Sequence, residues 1–195
     1  WLSSPTWKQW RQRDDVRDLK QTRWLLFLDE ENLGKSIASR LRSAGARVAT
    51  VTVGDRFQQL DATQFVAPPA DPGAYENLIA TLCKDDLMPT DVLHLWPLPS
   101  AESQADADAV LSRSFYSLFE LARALGAEAA DARPRIHNVT ANIFSVMGEA
   151  TDNPVAATAL GPLQVIPKEY PGFECRNIDL DLRQDGNVAL PHMLW

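Results

Sequence analysis

The sequence predicts an α/β fold with an open, mostly parallel β-sheet and helices on both faces. Short apolar runs rich in branched residues alternate with longer segments whose apolar residues have helical spacing. The segment 23–54 contains the first such β-α-β unit, in which a crossover helix connects two parallel strands. The 195 residues suffice for one domain with a sizeable core.

The first unit consists of three segments. The run 23–29 is continuously apolar between polar ends, which is typical of a strand buried on both faces. The segment 32–45 has apolar residues at steps of four and closes on Gly45, which favours a helix that ends there. The β-branched run 47–54 predicts the second strand.

The same alternation continues along the chain. The run 64–67 predicts a short strand, after which Asp71 and Pro72 suit the N-cap and first turn of a helix. The run 92–96 predicts a buried strand, and apolar residues at steps of four and three over 111–125 predict the longest helix. The last elements expected are a strand at 135–140, a short helix start at 153–160 and a strand at 175–181.

Charge and cysteine usage limit the classes of partner. The 19 basic and 26 acidic residues give a net charge of -7, which argues against nucleic acid and anionic membrane surfaces as partners. Cys83 and Cys175 cannot form a disulfide framework, so we expect a reducing, cytoplasmic location. No run approaches the roughly 18 apolar residues of a membrane-spanning helix.

The first helix turn bears on dinucleotide binding. Glycines in this turn let the backbone of a dinucleotide-binding protein approach the pyrophosphate at a helix N-terminus. If Gly34 is the third glycine of that motif, Asp29 and Glu31 occupy the other two positions. Bulk and negative charge there oppose phosphate, so we predict that this degenerate turn binds no cofactor.

Catalytic motifs are also missing from the sequence. A reductase tyrosine needs a lysine four residues later to lower its pKa, and neither a nucleophile elbow nor a phosphate loop is present. The histidines are too far apart for a local metal motif, and we expect His94 and His137 to be hydrogen-bonded core residues. The residues four positions after Tyr75, Tyr116 and Tyr170 are Ile79, Glu120 and Glu174.

Three interpretations concern side chains of the loops and the long helix. An independent nucleotide-binding or acyl-binding enzyme could use Asp55 and Glu149 as its polar groups, although a turn residue and a solvated residue are the simpler interpretations. The aromatic residues at 115, 116 and 119 are expected in the core. We expect Trp96 to cover a strand end.

Six segments in this order together resemble one family, the N-terminal, structural half of the ketoreductase domain in modular type I polyketide synthases. The similarity runs from about Trp7 to Asp181, and its most specific segments are the fourth and fifth. The segments are 24–29 (WLLFLD), 32–34 (NLG), 53–57 (VGDRF), 94–96 (HLW), 161–171 (GPLQVIPKEYP) and 175–179 (CRNID).

The resemblance implies a truncated Rossmann-like, short-chain-dehydrogenase-like fold that binds no cofactor itself. In that family a second half carries NADPH and the residues that reduce a β-keto group on an acyl carrier protein. The implied organisation is a linker at 1–22, a structural subdomain at 23–181 and a linker at 182–195. No catalytic, cofactor-binding or metal-binding residue can be assigned within the chain.

Two expectations follow for the partners. The catalytic half and neighbouring synthase domains should dock on an exposed apolar patch and an open strand edge, with contributions from Trp7, Trp10 and Leu194. Alternatively, the chain is the same half of an inactive ketoreductase that serves as a scaffold for a C-methyltransferase or an enoylreductase. Because the chain lacks an initiator methionine, we also expect it to be a piece of a longer protein.

Overall fold

The computed structural model describes residues 18–99, 106–128, 133–145, 148 and 150–182. Seven strands in these ranges form one sheet in the order β3-β4-β2-β1-β5-β6-β7. The elements are β1 (Arg23–Phe27), α1 (Leu33–Ser43), β2 (Arg47–Val53), β3 (Gln58–Gln59), β4 (Gln64–Ala67), α2 (Pro72–Lys84), β5 (Asp91–His94), α3 (Ala107–Leu111), α4 (Ser117–Glu128), β6 (Arg135–Ala141), α5 (Leu160–Glu169) and β7 (Glu174–Leu180).

The sheet is parallel except at one edge, as the sequence predicts. Each neighbouring pair from β4 to β7 is parallel, and only the two-residue β3 pairs antiparallel, with β4. From β1 the chain builds the sheet in one direction through β2 and β4, and then in the other direction through β5, β6 and β7. The switch point of this doubly wound sheet therefore lies between β1 and β5. The predicted Rossmann-like fold is therefore confirmed.

Two apolar layers hold the helices on the sheet. Helices α2, α4 and α5 cover one face, where Phe27, Tyr75 and Leu121 are fully buried. Helix α1 packs on the opposite face against Trp24 and Leu26. Because both faces of the central strands are covered, those strands are continuously apolar, which explains the run that predicts β1.

The longest helical segment changes geometry in its middle. A π-helical turn at Ser112–Tyr116 connects α3 to α4, so the segment from 107 to 128 is continuous. Ser114 and Ser117 lie in or next to this turn and are fully buried. Their hydroxyls hydrogen-bond to the carbonyls of Val110 and Arg113, four residues earlier. The sequence predicts the body of this helix but not the π turn.

The aromatic residues of this segment correct one expectation. Tyr116 is 44% exposed and Phe119 is 51% exposed, whereas Phe115 is half-buried. They are therefore not core residues. Helical spacing identifies the buried stripe through Leu118 and Leu125, but the same helix carries a second, outward aromatic stripe.

Two further elements differ from the sequence prediction. The helix expected to start at 153–160 is a 3-10 turn (Ala156–Ala159) that continues as α5 to Glu169. Its length is unexpected because Pro162 and Pro167 lie within it, but Pro162 is in the first turn, where the backbone N–H needs no helical partner. The two-residue strand β3 is also unpredicted.

The remaining sequence predictions concern Trp96, the cysteines, membrane-spanning helices and the linkers. Trp96 is 3% exposed and packs edge-on against Phe27, with 4.8 Å between ring centroids, after the end of β5. Neither cysteine forms a disulfide. None of the helices in the described ranges is long and apolar enough to cross a membrane. The predicted linkers lie largely outside the described residues, as do Trp7, Trp10 and Leu194, so the boundaries stay predictions.

Candidate functional site

The turn between β1 and α1 contains an internal substitute for a bound anion. The Asp29 carboxylate accepts hydrogen bonds from the backbone N–H groups of Leu33 and Gly34, at 3.1 and 2.5 Å. Free N–H groups at a helix N-terminus are the donors that bind phosphate in dinucleotide sites. Asp29 already uses two of these donors in α1.

Gly34 keeps the packing role of the third glycine of that motif. A Cβ atom at this position would lie 2.8 Å from Leu28 Cδ2 and 2.8 Å from Leu95 Cδ1. Both distances are shorter than any ordinary carbon contact, so a side chain at residue 34 would force α1 or the leucines that follow β1 and β5 to shift. The turn therefore retains the close packing of the helix on the sheet that this glycine gives in a dinucleotide-binding turn.

The other two acidic residues of the turn have different environments. The Glu30 Oε1 atom lies 2.7 Å from Nη1 of Arg113, so the two residues form an ion pair between this turn and the π turn. Glu31 is exposed. The residues present therefore do not fit a dinucleotide pyrophosphate, because a carboxylate already binds the helix N-terminus and Glu31 adds negative charge beside it.

A buried polar chain crosses the α2-covered face of the sheet. His94, Asn138 and Asn177 occupy one register row of β5, β6 and β7. His94 Nδ1 lies 2.8 Å from Asn138 Oδ1, and Asn138 Nδ2 donates to Asn177 Oδ1 at 2.7 Å. The chain continues from Asn177 to Thr140 Oγ1 at 2.8 Å and from Thr140 to Asp179 Oδ1 at 2.9 Å.

The Asp179 carboxylate fixes the direction of every hydrogen bond in this chain. A carboxylate only accepts, so the Thr140 hydroxyl donates to it and must accept from the Asn177 amide. Asn177 then accepts from Asn138, and Asn138 Oδ1 accepts from the His94 Nδ1–H. On its other side, His94 Nε2 lies 2.9 Å from Ser117 Oγ, whose hydroxyl proton is directed at the Arg113 carbonyl at 2.6 Å.

Ser117, His94 and Asn138 have the geometry of a nucleophile, a base and an orienting residue. All three side chains are fully buried, so no substrate can reach the Ser117 hydroxyl. Burial also lowers the pKa of His94 from 6.5 to about 4, which disfavours the protonated form that a general base must reach. The arrangement is a structural hydrogen-bond network, and the expectation for His94 is confirmed.

His137 is the second histidine expected in the core, and it is buried as predicted. Arg176 Nε donates to His137 Nδ1 at 2.6 Å, which places the ring proton on Nε2, 3.5 Å from Asp91 Oδ1. Arg135 forms an ion pair with the same Asp91 oxygen at 2.9 Å. The buried Asp91 charge is thus compensated, as a buried carboxylate requires.

The other candidate residues are not brought together. Tyr75 is buried, and its hydroxyl donates to the Pro69 carbonyl at 3.0 Å, with burial raising its pKa well above the usual value of 10.0. Asp55 is exposed in a bend, and Glu149 lies outside the described residues. Within the described ranges no three His, Cys, Asp or Glu side chains are placed to hold a metal ion. The absence of catalytic, cofactor and metal residues stays a prediction.

Sequence reasoning did not identify Ser117, Asn138, Thr140, Asn177 or Asp179 as a connected set. One signal was present. Polar residues alternate along two predicted strands, at 138 and 140 and again at 177 and 179. In neighbouring parallel strands such residues share a face, which could have indicated their contact.

An apolar surface on two adjoining helices is exposed to solvent. We define the α4–α5 face as Phe115, Tyr116 and Phe119 with Gly161 and Val165. Phe115 lies over Gly161, since a Cβ atom there would be 3.8 Å from the Phe115 ring. Phe119 and Val165 follow one helical turn later and are 51% and 49% exposed. In the described residues β7 also ends the sheet without a partner on its outer side.

Comparison with solved structures identifies the same fold in assembly-line enzymes. A multidomain structure of adenylation, ketoreductase and pseudo-Asub domains from a keto acid-selecting NRPS module has a TM-score of 0.79 and 21% identity, covering 89% of this chain and 15% of that one. An N-terminal ketoreductase from the macrolactin assembly line has a TM-score of 0.67 and 21% identity, covering 83% of this chain and 33% of that one. The present chain therefore spans a third or less of either protein.

A complete short-chain dehydrogenase/reductase has a similar fold too. An oxidoreductase of that family from Brucella ovis, in complex with a partially ordered NAD, has a TM-score of 0.60 and 16% identity over 80% of this chain and 81% of that one. No curated protein sequence matches the chain.

The family is shown by sequence. The model described as "Beta-ketoacyl synthase-like, N-terminal" matches residues 22–194, which is most of the chain. Together with the fold, this match confirms the resemblance to the structural half of a ketoreductase. The chain therefore belongs to the beta-ketoacyl synthase-like, N-terminal family.

Proposed function

We propose that this chain is the non-catalytic structural subdomain of a polyketide synthase ketoreductase region. In this role it supports a catalytic half, which follows it in the same polypeptide and reduces β-ketoacyl groups on an acyl carrier protein with NADPH. The observation that carries the proposal is the Asp29 carboxylate at the N-terminus of α1, where a cofactor-binding half would hold a phosphate. A cytoplasmic location is part of the proposal.

The α4–α5 face is the proposed docking surface for the catalytic half. Tyr116, Phe119 and Val165 are each more than 40% exposed, and their side chains form adjoining apolar stripes on two helices. Apolar side chains clustered in this way mark an interaction surface more often than single exposed residues do. A contact of roughly 600–1,500 Å² is usual between domains of one chain and would stabilise both halves.

The docking test compares two exposed apolar residues. The chain is mixed with the separately produced segment that follows it in its gene, and complex formation is followed by size-exclusion chromatography and by melting temperature. We expect co-elution and a raised melting temperature for the wild type and for Leu60→Ser, because Leu60 is 61% exposed beyond the opposite sheet edge. Phe119→Ser should abolish both effects. Co-elution unaffected by Phe119→Ser contradicts docking on this face.

The catalytic state of the partner is decided by its own sequence. A glycine-rich T-G-x-x-G-x-G turn and a Tyr-x-x-x-Lys pair in the downstream segment would identify an active reductase. Their loss, with a C-methyltransferase or enoylreductase next to the chain, would favour the inactive scaffold. NADPH-dependent turnover of a β-ketoacyl thioester by the present chain alone would overturn both forms of the proposal in favour of an independent enzyme.

A further inference from the structure

Four apolar side chains of β6 and β7 lie on the face of the sheet that carries α1. We define the β6–β7 patch as Val139 and Ala141 of β6 with Ile178 and Leu180 of β7. All four belong to the same apolar layer as the buried residues of α1. Val139 and Ala141 are 0% and 1% exposed, and Ile178 and Leu180 are 9% and 8% exposed. Side chains on the face of a sheet are buried to this degree only under a further layer of protein.

Helix α1 is too far away to be this layer. It connects β1 to β2 and packs on those two strands. Neighbouring strands are about 4.8 Å apart, so β6 and β7 lie about 10 and 14 Å beyond β1 in the sheet. A helix with its side chains is about 10–12 Å wide, so it extends only about 5–6 Å from its axis. Since α2, α4 and α5 pack on the opposite face, none of these four helices reaches the patch.

The covering layer belongs to the same chain, because the patch is buried in the single chain. Leu98, after β5, joins the apolar layer, but one side chain cannot bury four others on two strands. The longest stretches outside the described residues are 1–17 and 183–195, and the remaining ones have at most six residues. The choice is therefore between the two terminal segments.

The composition of the two segments favours 183–195. Its last eight residues, 188–195 (VALPHMLW), include no Asp, Glu, Lys or Arg, whereas five of the eight residues 10–17 (WRQRDDVR) are charged. Burial of unpaired charge on an apolar patch is unfavourable. Leu190 and Leu194 are four residues apart, so their side chains share one face in a helix and in a strand alike.

The connection to the described chain also favours 183–195. This segment follows Leu182, just after β7, which is the strand that carries Ile178 and Leu180. It has only to turn back over its own strand, whereas the segment 1–17 joins the chain ahead of β1, three strands away in the sheet. The match to the family model continues to residue 194, so the similarity to the family extends through this segment.

Charged groups confine the apolar contact to the carboxyl half of β6 and β7. On the same face, the amino half of these strands carries Arg135, His137 and Arg176, which lie beside the buried Asp91 of β5. Side chains alternate along a strand, so the next positions on this face are those of the β6–β7 patch. An uncharged segment that approaches from the carboxyl end of β7 meets only the apolar half.

We propose that residues 188–195 pack on the β6–β7 patch, with Leu190 and Leu194 against Ile178 and Leu180. The segment that the sequence assigns to a linker then completes the core of the domain, and Leu194 belongs to this core instead of the docking surface. The α1 side of β6 and β7 is thereby closed to neighbouring domains. The proposal does not depend on the docking role of the α4–α5 face, because α4 and α5 cover the opposite face of the sheet.

The first experiment detects the contact in the isotope-labelled wild-type chain by methyl NMR. The Ile178 δ1 methyl resonance is assigned by its loss in Ile178→Val, and the leucine resonances by their loss in Leu190→Met and Leu194→Met. We expect nuclear Overhauser effects between the Ile178 methyl group and at least one of the two leucines. Their absence overturns the proposal. Contacts of Ile178 with Val16 or Val146 in their place overturn it as well, because another segment then covers the patch.

The second experiment measures the effect of the contact on thermal stability of the full chain. Leu190→Ser/Leu194→Ser removes the two proposed core side chains, and the control Leu60→Ser/Leu182→Ser changes two leucines that are 61% and 42% exposed. We expect the first double variant to lower the melting temperature by roughly 5–15 °C, and the control by less than about 3 °C.

Two outcomes of the second experiment overturn the proposal. One is a melting temperature of Leu190→Ser/Leu194→Ser that equals that of the wild type or of the control. The other is an unchanged melting temperature combined with lost co-elution with the downstream half, which would place Leu194 on a docking surface. If the double variant does not fold, the methyl contacts of Ile178 in the wild type still decide between the two terminal segments.

Discussion

The Asp29 carboxylate and the Gly34 backbone N–H form a hydrogen bond of 2.5 Å at the N-terminus of α1. The two residues come from the positions that a dinucleotide-binding turn reserves for glycine. Gly34 remains because the helix must approach Leu28 and Leu95 closely, and Asp29 satisfies the donors that this approach leaves exposed. Close packing of the helix and a carboxylate on its N-terminal donors thus occur in the same turn.

Asp29→Gly and the double variant with Glu31→Gly test whether removing the acidic side chains of this turn creates reductase activity. We expect no NADPH binding by the wild type in titration calorimetry, and still no reductase activity in Asp29→Gly or in the double variant with Glu31→Gly, because the Tyr-Lys pair is missing. Loss of the cap should lower the free energy of unfolding by about 1 kcal/mol. Micromolar NADPH affinity of the wild type would contradict this prediction.

Gly34→Ala and Gly73→Ala form a matched pair, since each glycine is the second residue of its helix. A methyl group at 34 meets two side-chain carbons at 2.8 Å, whereas at 73 the nearest atom is Asp71 Oδ1 at 3.5 Å. We expect Gly34→Ala to lower the free energy of unfolding by about 1–3 kcal/mol and Gly73→Ala to leave it unchanged or raise it slightly. Urea denaturation measures both, and similar effects would contradict the close packing of α1.

The pH dependence of stability should reveal the lowered pKa of the buried His94. Its pKa is about 4 in the folded protein and 6.5 when unperturbed, so between these values the unfolded chain binds the additional proton. Stability contributed by neutral His94 is therefore complete above pH 6.5 and is lost as the pH falls towards 4, by about 3 kcal/mol in total. In this pH range, His94→Gln should decrease the slope of the unfolding free energy against pH by the contribution of roughly one bound proton. Parallel slopes would contradict the assignment.

The two thiols should react at very different rates. Cys83 is exposed, whereas burial raises the pKa of Cys175 to about 12. At pH 8 that value leaves roughly one Cys175 side chain in 10⁴ as the reactive thiolate. A chromogenic disulfide reagent should therefore label one thiol rapidly and the second only in denaturant. Cys83→Ser should remove the rapid phase, and a rapid phase that persists would refute the prediction.

Asp179→Asn should destabilise the protein far more than Asp55→Asn. The Asp179 carboxylate accepts from the Thr140 hydroxyl and from the backbone N–H groups of Ile143 and Phe144. An amide cannot accept all of these bonds equally, and we expect a loss of about 2–3 kcal/mol in unfolding free energy. Asp55 is exposed in a bend, so its variant should change stability by less than about 0.5 kcal/mol. Equal losses of unfolding free energy in the two variants would contradict the role of Asp179 as the terminal acceptor of the hydrogen-bond chain.

The strands and the first helices could be predicted because their patterns are local. The apolar run of β1 and the N-cap pair Asp71 and Pro72 reflect burial and capping within a few residues. The hydrogen-bond chain was not predictable in the same way, because its members lie far apart in sequence and meet only through strand order. The exposed positions of Tyr116 and Phe119 were missed because helical spacing does not distinguish a buried aromatic stripe from an exposed one.

The polar chain that ends at Asp179 determines how short the protein can be. Asp179 belongs to β7, yet it completes the turn that follows β6, and Asn177 satisfies two residues of β6. Removal of β7 by proteolysis or by an earlier stop codon would make β6 the edge strand and would leave Asn138 and Thr140 without their partners Asn177 and Asp179. Fusion partners can be joined after Leu180 with little consequence for this network, but no autonomous folding unit should end before it.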